Sequence, residues 1–233
     1  MSTHHTLTSG APELDETALP EIVSAQEWQT HRDALLVAEK ELSKAHDALA
    51  ARRRRLPMVE FRGDYAFHGD PGEITLLDLF DGRHQLAVYH FMQRDDGEFC
   101  EGCSTFTDTV SPHMLPHLHA RDTSLAIVTR NPWEKIAPYR DRMGWTIPFA
   151  SSHGTTFDAD CDTVSGFGLS VFLRHHDRVF RTYFTRGRAV DAVGNHWSFL
   201  DLSPLGRQET WEDTPAGRPQ TDPYLWWRRH DEY

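Results

Sequence analysis

Two cysteines three positions apart, Cys100 and Cys103, are the residues of this 233-residue chain whose types and spacing best suit chemistry. The motif Cys100-Glu101-Gly102-Cys103 follows an apolar run at 85–91 that reads as a buried strand, and it precedes a candidate helix beginning near Ser104. A thiol at a helix N-terminus meets free backbone amides and the positive end of the dipole, which lower its pKa and favour thiolate. A second thiol one turn on can reach the first, so such a pair can cycle between dithiol and disulfide through a mixed disulfide. In a chain of strand–helix units the motif reads as thioredoxin-like. Two other readings stay open. The pair could be half of a zinc site, with His113, His117, His119 and Cys161 as further candidates, although none of these forms a second tight pair. It could also be redox-inert. Cys161 sits in Asp158-Ala159-Asp160-Cys161-Asp162, and its acidic neighbours argue against a nucleophile there.

The elements that must position the pair follow from periodicity. Residues 1–20 lack an apolar period and read as a tail. Ser24 with Glu27 has the form of a capping box, and a helix is predicted over 24–54, about 45 Å long. Along it Trp28, Leu35, Leu42 and Leu49 recur every seventh position, with Ala38 and Ala45 between. Packing against its own domain is the favoured role for this stripe, and contact with a second subunit in a homo-oligomer is the alternative. Arg52 to Arg55 suit the negative end of that helix.

Beyond it, 75–80 reads as a short strand or helical turn, and 124–129 as a second buried strand. A helix interrupted by Pro112 and Pro116 is predicted over 104–119, and another over 132–143, with Pro132 at its start and Gly144 past its end. Runs at 169–173 and 178–184, joined by His175-His176-Asp177, predict a hairpin. The order implies an α/β fold: a central mixed sheet, parallel first and then antiparallel, flanked by helices. The expected organisation is a tail over 1–20, a helical arm over 21–56, a domain over 57–206 and an aromatic tail over 207–233 packed on that domain.

Composition narrows the function. A net charge of −11 argues against nucleic-acid binding, which needs a basic face. No apolar run approaches the length that spans a bilayer, no secretory signal pattern is present, and three cysteines make a poor disulfide framework; a reduced, cytoplasmic protein is expected. No glycine-rich phosphate loop, Ser–His–Asp signature or His-Glu-x-x-His motif occurs, and no cofactor is expected. With fifteen histidines in the chain, the cluster at His113, His117 and His119 reads as surface or structural rather than metal-binding. Trp226-Trp227 read as packing of the tail, with an aromatic ligand surface as the alternative.

Several separated motifs, in order, resemble one family. Tyr89-His90-Phe91-Met92, Cys100-Glu101-Gly102-Cys103-Ser104, His119-Ala120-Arg121-Asp122, Arg142-Met143-Gly144-Trp145 and Ser151-Ser152 are similar to the bacterial group catalogued as domain of unknown function 899. So are Gly168 to Leu173 and the closing Arg229-His230-Asp231-Glu232-Tyr233. The resemblance implies a thioredoxin-like fold, a dithiol–disulfide oxidoreductase, Cys100 as nucleophile and Cys103 as resolving thiol. The substrate would be a disulfide, small thiol or peroxide, with an external reductant restoring the dithiol. A non-catalytic binding or assembly role on the same scaffold is the alternative.

Three departures bear on that expectation. Leu169 is placed where thioredoxins carry the proline facing the pair, and Pro148 comes too early to replace it. Gly97 stands three residues before Cys100, where peroxiredoxins use threonine, which ranks peroxide reduction below disulfide exchange. Asp95, Asp96, Glu98 and Glu101 would raise a nearby thiol pKa, against Arg94 and the helix dipole. Trp145 is a candidate either for the site wall or for the core.

Overall fold

The computed structural model describes residues 19–70 and 72–233. The reading of 1–18 as a tail lies outside them. In chain order the elements are α1 (Ala25–Arg53), β1 (Val59–Phe61), β2 (Ala66–Gly69), β3 (Gly72–Thr75), α2 (Leu76–Leu79), β4 (Gln85–Phe91), α3 (Glu101–Asp108) and α4 (Leu115–His119). Then come β5 (Thr123–Thr129), α5 (Trp133–Arg142), β6 (Phe149–Ser151), α6 (Phe157–Asp160), β7 (Gly168–His175), β8 (Arg178–Thr185) and α7 (Asn195–Leu202). Short 3₁₀ turns lie before α4 and at the C-terminus, and a longer 3₁₀ segment, Gly187–Val193, precedes α7.

The strands form one sheet in the order β1-β8-β7-β4-β5-β6-β2-β3. β4 pairs with β5 in parallel and with β7 antiparallel, and β8 returns antiparallel on β7. With α3 and α4 leading from β4 to β5, this is the thioredoxin-like arrangement, so the mixed α/β fold expected from the sequence is the one present. Alternation along β4 and β5 divides the apolar residues between the two faces. Tyr89, Phe91, Leu125 and Ile127 face one core, with α3, α5 and both cysteines of the pair. Leu86, Val88, Ala126 and Val128 face the other, with Phe157, Phe172 and Cys161.

Local chemistry accounts for the helix ends. Ser24 and Glu27 make both bonds of the capping box, Ser24 N to Glu27 Oε2 at 3.0 Å and Glu27 N to Ser24 Oγ at 3.3 Å. Thr75 and Asp78 make a second box on α2, so 75–80 resolves as a helical turn. Gly144 takes φ 67° directly after α5, the left-handed position that lets the chain turn back without a Cβ penalty.

One expectation is overturned. α1 does not pack against its own domain: none of its residues is buried, and Trp28, Leu35, Leu42 and Leu49 all lie exposed, Leu42 at 71%. Near its end Arg53 sits over the Tyr183 ring at 5.2 Å, while the seven-residue stripe runs free. The period was legible because a helix repeats it; the surface it meets was not. No described helix is long and apolar enough to cross a membrane.

Candidate functional site

Cys100 is the N-cap of α3. Its backbone is extended (φ −67°, ψ 117°), and its Sγ accepts the Cys103 amide at 3.3 Å, the bond a serine or aspartate makes at this position. The helix therefore begins three residues earlier than its apolar pattern suggests, because cysteine is outside the usual set of capping residues. Ser104 N closes the first turn on Cys100 O at 3.0 Å, and Ser104 Oγ meets the Tyr139 hydroxyl at 2.8 Å, tying α3 to α5. Cys103, one turn into the helix, is 1% exposed and accepts the Met92 amide at 3.4 Å from the end of β4. Tyr89 packs beside this thiol in the same core, its ring stacked on Phe106 at 3.9 Å.

These contacts separate the two thiols. A hydrogen bond from the Cys103 thiol, with further bonds from the Cys103 and Gly102 amides, brings Cys100 down to about 7 against burial and the Glu101 charge. Burial first, and then donation of its proton to Cys100, pushes Cys103 well up. The acidic residues do not decide the outcome: Arg94 pairs with Asp96 at 2.5 Å and with Glu101 at 3.0 Å, so much of their charge is spent locally. Both cysteines are free thiols, as is Cys161. Alkylation of Cys100, located by peptide mass, should accelerate as pH rises through about 7, because thiolate is the reacting form and a thiol at 9 would still be almost wholly protonated there. Cys103→Ala removes the first cause of the shift, so the midpoint should move upward.

A cavity of about 640 Å³ opens beside the pair, lined among others by Tyr89, Cys100, Cys103, Phe167, Val190 and Trp197. The C-terminal tail roofs it. Trp227 lies so close over Gly102 that a Cβ there would stand 2.3 Å from the indole, and only glycine fits. Cys100 keeps 8% of its surface exposed.

Two clasps hold the roof. Glu209, 2% exposed, accepts Trp211 Nε1 at 2.5 Å, Trp226 Nε1 at 2.8 Å and Tyr224 N at 2.9 Å. The closing residues form the other: Arg142 on α5 makes a forked pair with Asp231 at 2.8 and 3.0 Å, and His230 meets Asp108 of α3 at 2.7 Å. The tail from 207 thus packs on the sheet-and-helix body, and Trp227 both packs and lines the cavity. The Trp-Trp pair and the middle glycine of the motif were the only sequence signals of this contact. Arg188, Tyr224 and Arg228, also at the cavity, carried none.

Other candidates fall elsewhere. Trp145 is a core residue, its Nε1 donating to Asp108 at 2.8 Å, and does not line the cavity of the pair. Leu169 is inside β7, paired with Tyr89, and the chain facing the cysteines before that strand is Ser165-Gly166-Phe167. Cys161 belongs to the opposite core, and burial pushes its thiol up to about 12. Among the described residues no group of three or more His, Cys, Asp and Glu is placed to hold a metal ion. His90 Nε2 meets Ser170 Oγ at 2.8 Å on the opposite face of the sheet, fully buried and held neutral by burial, and it does not line the cavity of the pair.

The family model described as bacterial protein of unknown function (DUF899) matches residues 17–233. The chain belongs to this family. No curated protein matches it. Among solved structures, it is similar to a candidate protein disulfide isomerase from Bacteroides thetaiotaomicron (17% identity, 60% of this chain and 90% of that one, TM-score 0.38). It is similar also to a cysteine-to-serine variant of PrxQ from Xylella fastidiosa (14%, 62% and 97%, 0.39) and to one of peroxiredoxin Q from Xanthomonas campestris (17%, 57% and 89%, 0.36). The strand order of this DUF899 chain is by itself the thioredoxin-like arrangement.

Proposed function

We propose that this DUF899 protein is a thiol–disulfide oxidoreductase in which Cys100 attacks and Cys103 resolves. The observation that carries the reading is the pair itself: a thiol at the wall of a cavity that caps a helix by accepting the Cys103 amide, with a buried partner thiol one turn on. Cys100 thiolate attacks one sulfur of a disulfide RSSR, forming Cys100–S–SR and releasing RS⁻. Cys103 then loses its proton to a departing thiolate and attacks the Cys100 sulfur, forming the intramolecular disulfide as the second RS⁻ leaves. Two protein thiols are oxidised and one disulfide is reduced; an external dithiol reverses the change. Disulfide exchange is preferred to peroxide reduction because Gly97 offers no side-chain hydroxyl. Cys103→Ser should halt the cycle at the mixed disulfide, visible as a mass increase of one RS group on Cys100. Oxidation of this variant without a retained adduct would contradict the assignment.

A second reading, an assembly role, is favoured by α1 alone. Four large apolar side chains at seven-residue spacing, with Ala38 and Ala45 in two of the three gaps, form one seam of a coiled coil, which a second copy of the same helix complements. Replacing Trp28 and Leu35 by Ala should convert a dimer to monomer in sedimentation while redox cycling persists. A wild-type monomer at micromolar concentration would remove this reading.

A further inference from the structure

The cavity beside Cys100 has a size, a charge and a roof that select among disulfides. Its volume of about 640 Å³ suits a small molecule, and its walls are mostly aromatic and aliphatic. Its charges do not cancel. Arg94 is taken up by Asp96 and Glu101, and Asp191 by Arg207 at 2.6 Å. Arg188 lies on the Trp211 ring at 3.6 Å, and the Arg228 guanidinium donates to the carbonyls of Leu225 and Trp227; neither side chain has a carboxylate partner among the described residues. Two cations are therefore left facing the site. Above it, the Trp227 ring packs directly over Gly102, two residues from Cys100, and narrows the cavity there.

We propose that this cavity binds low-molecular-weight disulfides carrying an anionic group on a flat apolar body, that Arg188 and Arg228 recognise the anion, and that Trp227 shuts out protein disulfides. The proposal rests on Cys100 being the nucleophile. The apolar body lies against Phe167, Trp197 and Tyr224, and one sulfur meets Cys100 at the cavity floor. The exchange is the one balanced above, with both halves of the substrate leaving as small thiols.

The test compares oxidation rates of the reduced full-length protein by three disulfides, each divided by the rate of a free thiol. These are dithiobis(nitrobenzoate), flat and anionic; dithiodipyridine, flat and uncharged; and insulin, a protein disulfide. Wild type should prefer the anionic over the uncharged reagent by about tenfold and react with insulin no faster than the free thiol does. Replacing Arg188 and Arg228 by Gln should erase the preference for the anion. Trp227→Ala should raise the insulin rate relative to dithiodipyridine by about tenfold. Equal wild-type rates with insulin and the small reagents, or an anion preference unmoved by the double variant, would overturn the proposal and leave the nucleophile in place. Reaction with all three no faster than the free thiol removes the nucleophile reading itself.

Discussion

Cys100→Ser should lower the rate of disulfide reduction by about 10³-fold or more while leaving the fold in place. The substitution separates chemistry from architecture because serine is itself a preferred N-cap. Its Oγ can take the Cys103 amide that Sγ now accepts at 3.3 Å, so α3 keeps its first turn. What is lost is the group whose pKa the site lowers: a serine hydroxyl stays protonated near neutrality and does not attack a disulfide. The check is a single-turnover assay with the reduced protein, paired with thermal unfolding. Residual activity within tenfold of wild type, with an unchanged melting curve, would place the nucleophile elsewhere. Cys161 is a poor substitute because it lies in the opposite core with a raised pKa.

Glu209→Ala should release the tail and uncover the pair. Its carboxylate satisfies two indole N–H groups and the Tyr224 amide while almost wholly buried. Removing it leaves those donors without an acceptor, a loss of about 3–5 kcal/mol in the internal order of the tail that forms the roof. Arg142, Arg229 (through the Phe99 carbonyl) and His230 still latch the last residues to the body, so the expected result is local opening of the roof rather than global unfolding. Tryptophan emission should shift red, and alkylation of Cys100 should quicken by about tenfold or more. Glu209→Gln, which keeps one oxygen acceptor, should fall between. If the alanine variant retains both the wild-type emission and the wild-type alkylation rate, Glu209 does not hold the roof.

How much of this was legible beforehand follows from the range of each interaction. β4 coincides with the predicted 85–91 run, and β5, α5 and the β7–β8 hairpin lie within a residue or two of expectation, because each has its own period or its own Pro and Gly punctuation. β1, β2, β3 and β6 were not read: three or four residues give no usable alternation, and outside the β2–β3 hairpin the pairings of β1 with β8 and of β2 with β6 join segments remote in sequence. The Cys pair was legible as local chemistry. The balance of its electrostatics was not, since it turned on Arg94 folding back onto Asp96 and Glu101 and on the thiol–thiol hydrogen bond. The roof was least legible. Trp227 and Gly102 meet across most of the chain, and Glu209 is one acidic residue in a polar segment until three donors converge on it.

The central claim is that Cys100 and Cys103 exchange electrons as a pair, and a redox titration of the full-length protein in glutathione and dithiothreitol buffers, read by thiol labelling, addresses it most directly. The account predicts a reversible two-electron transition between about −120 and −270 mV, the span of working dithiol oxidoreductases, which disappears in Cys100→Ser. A pair that stays reduced throughout that range, or that releases zinc on alkylation, would contradict it.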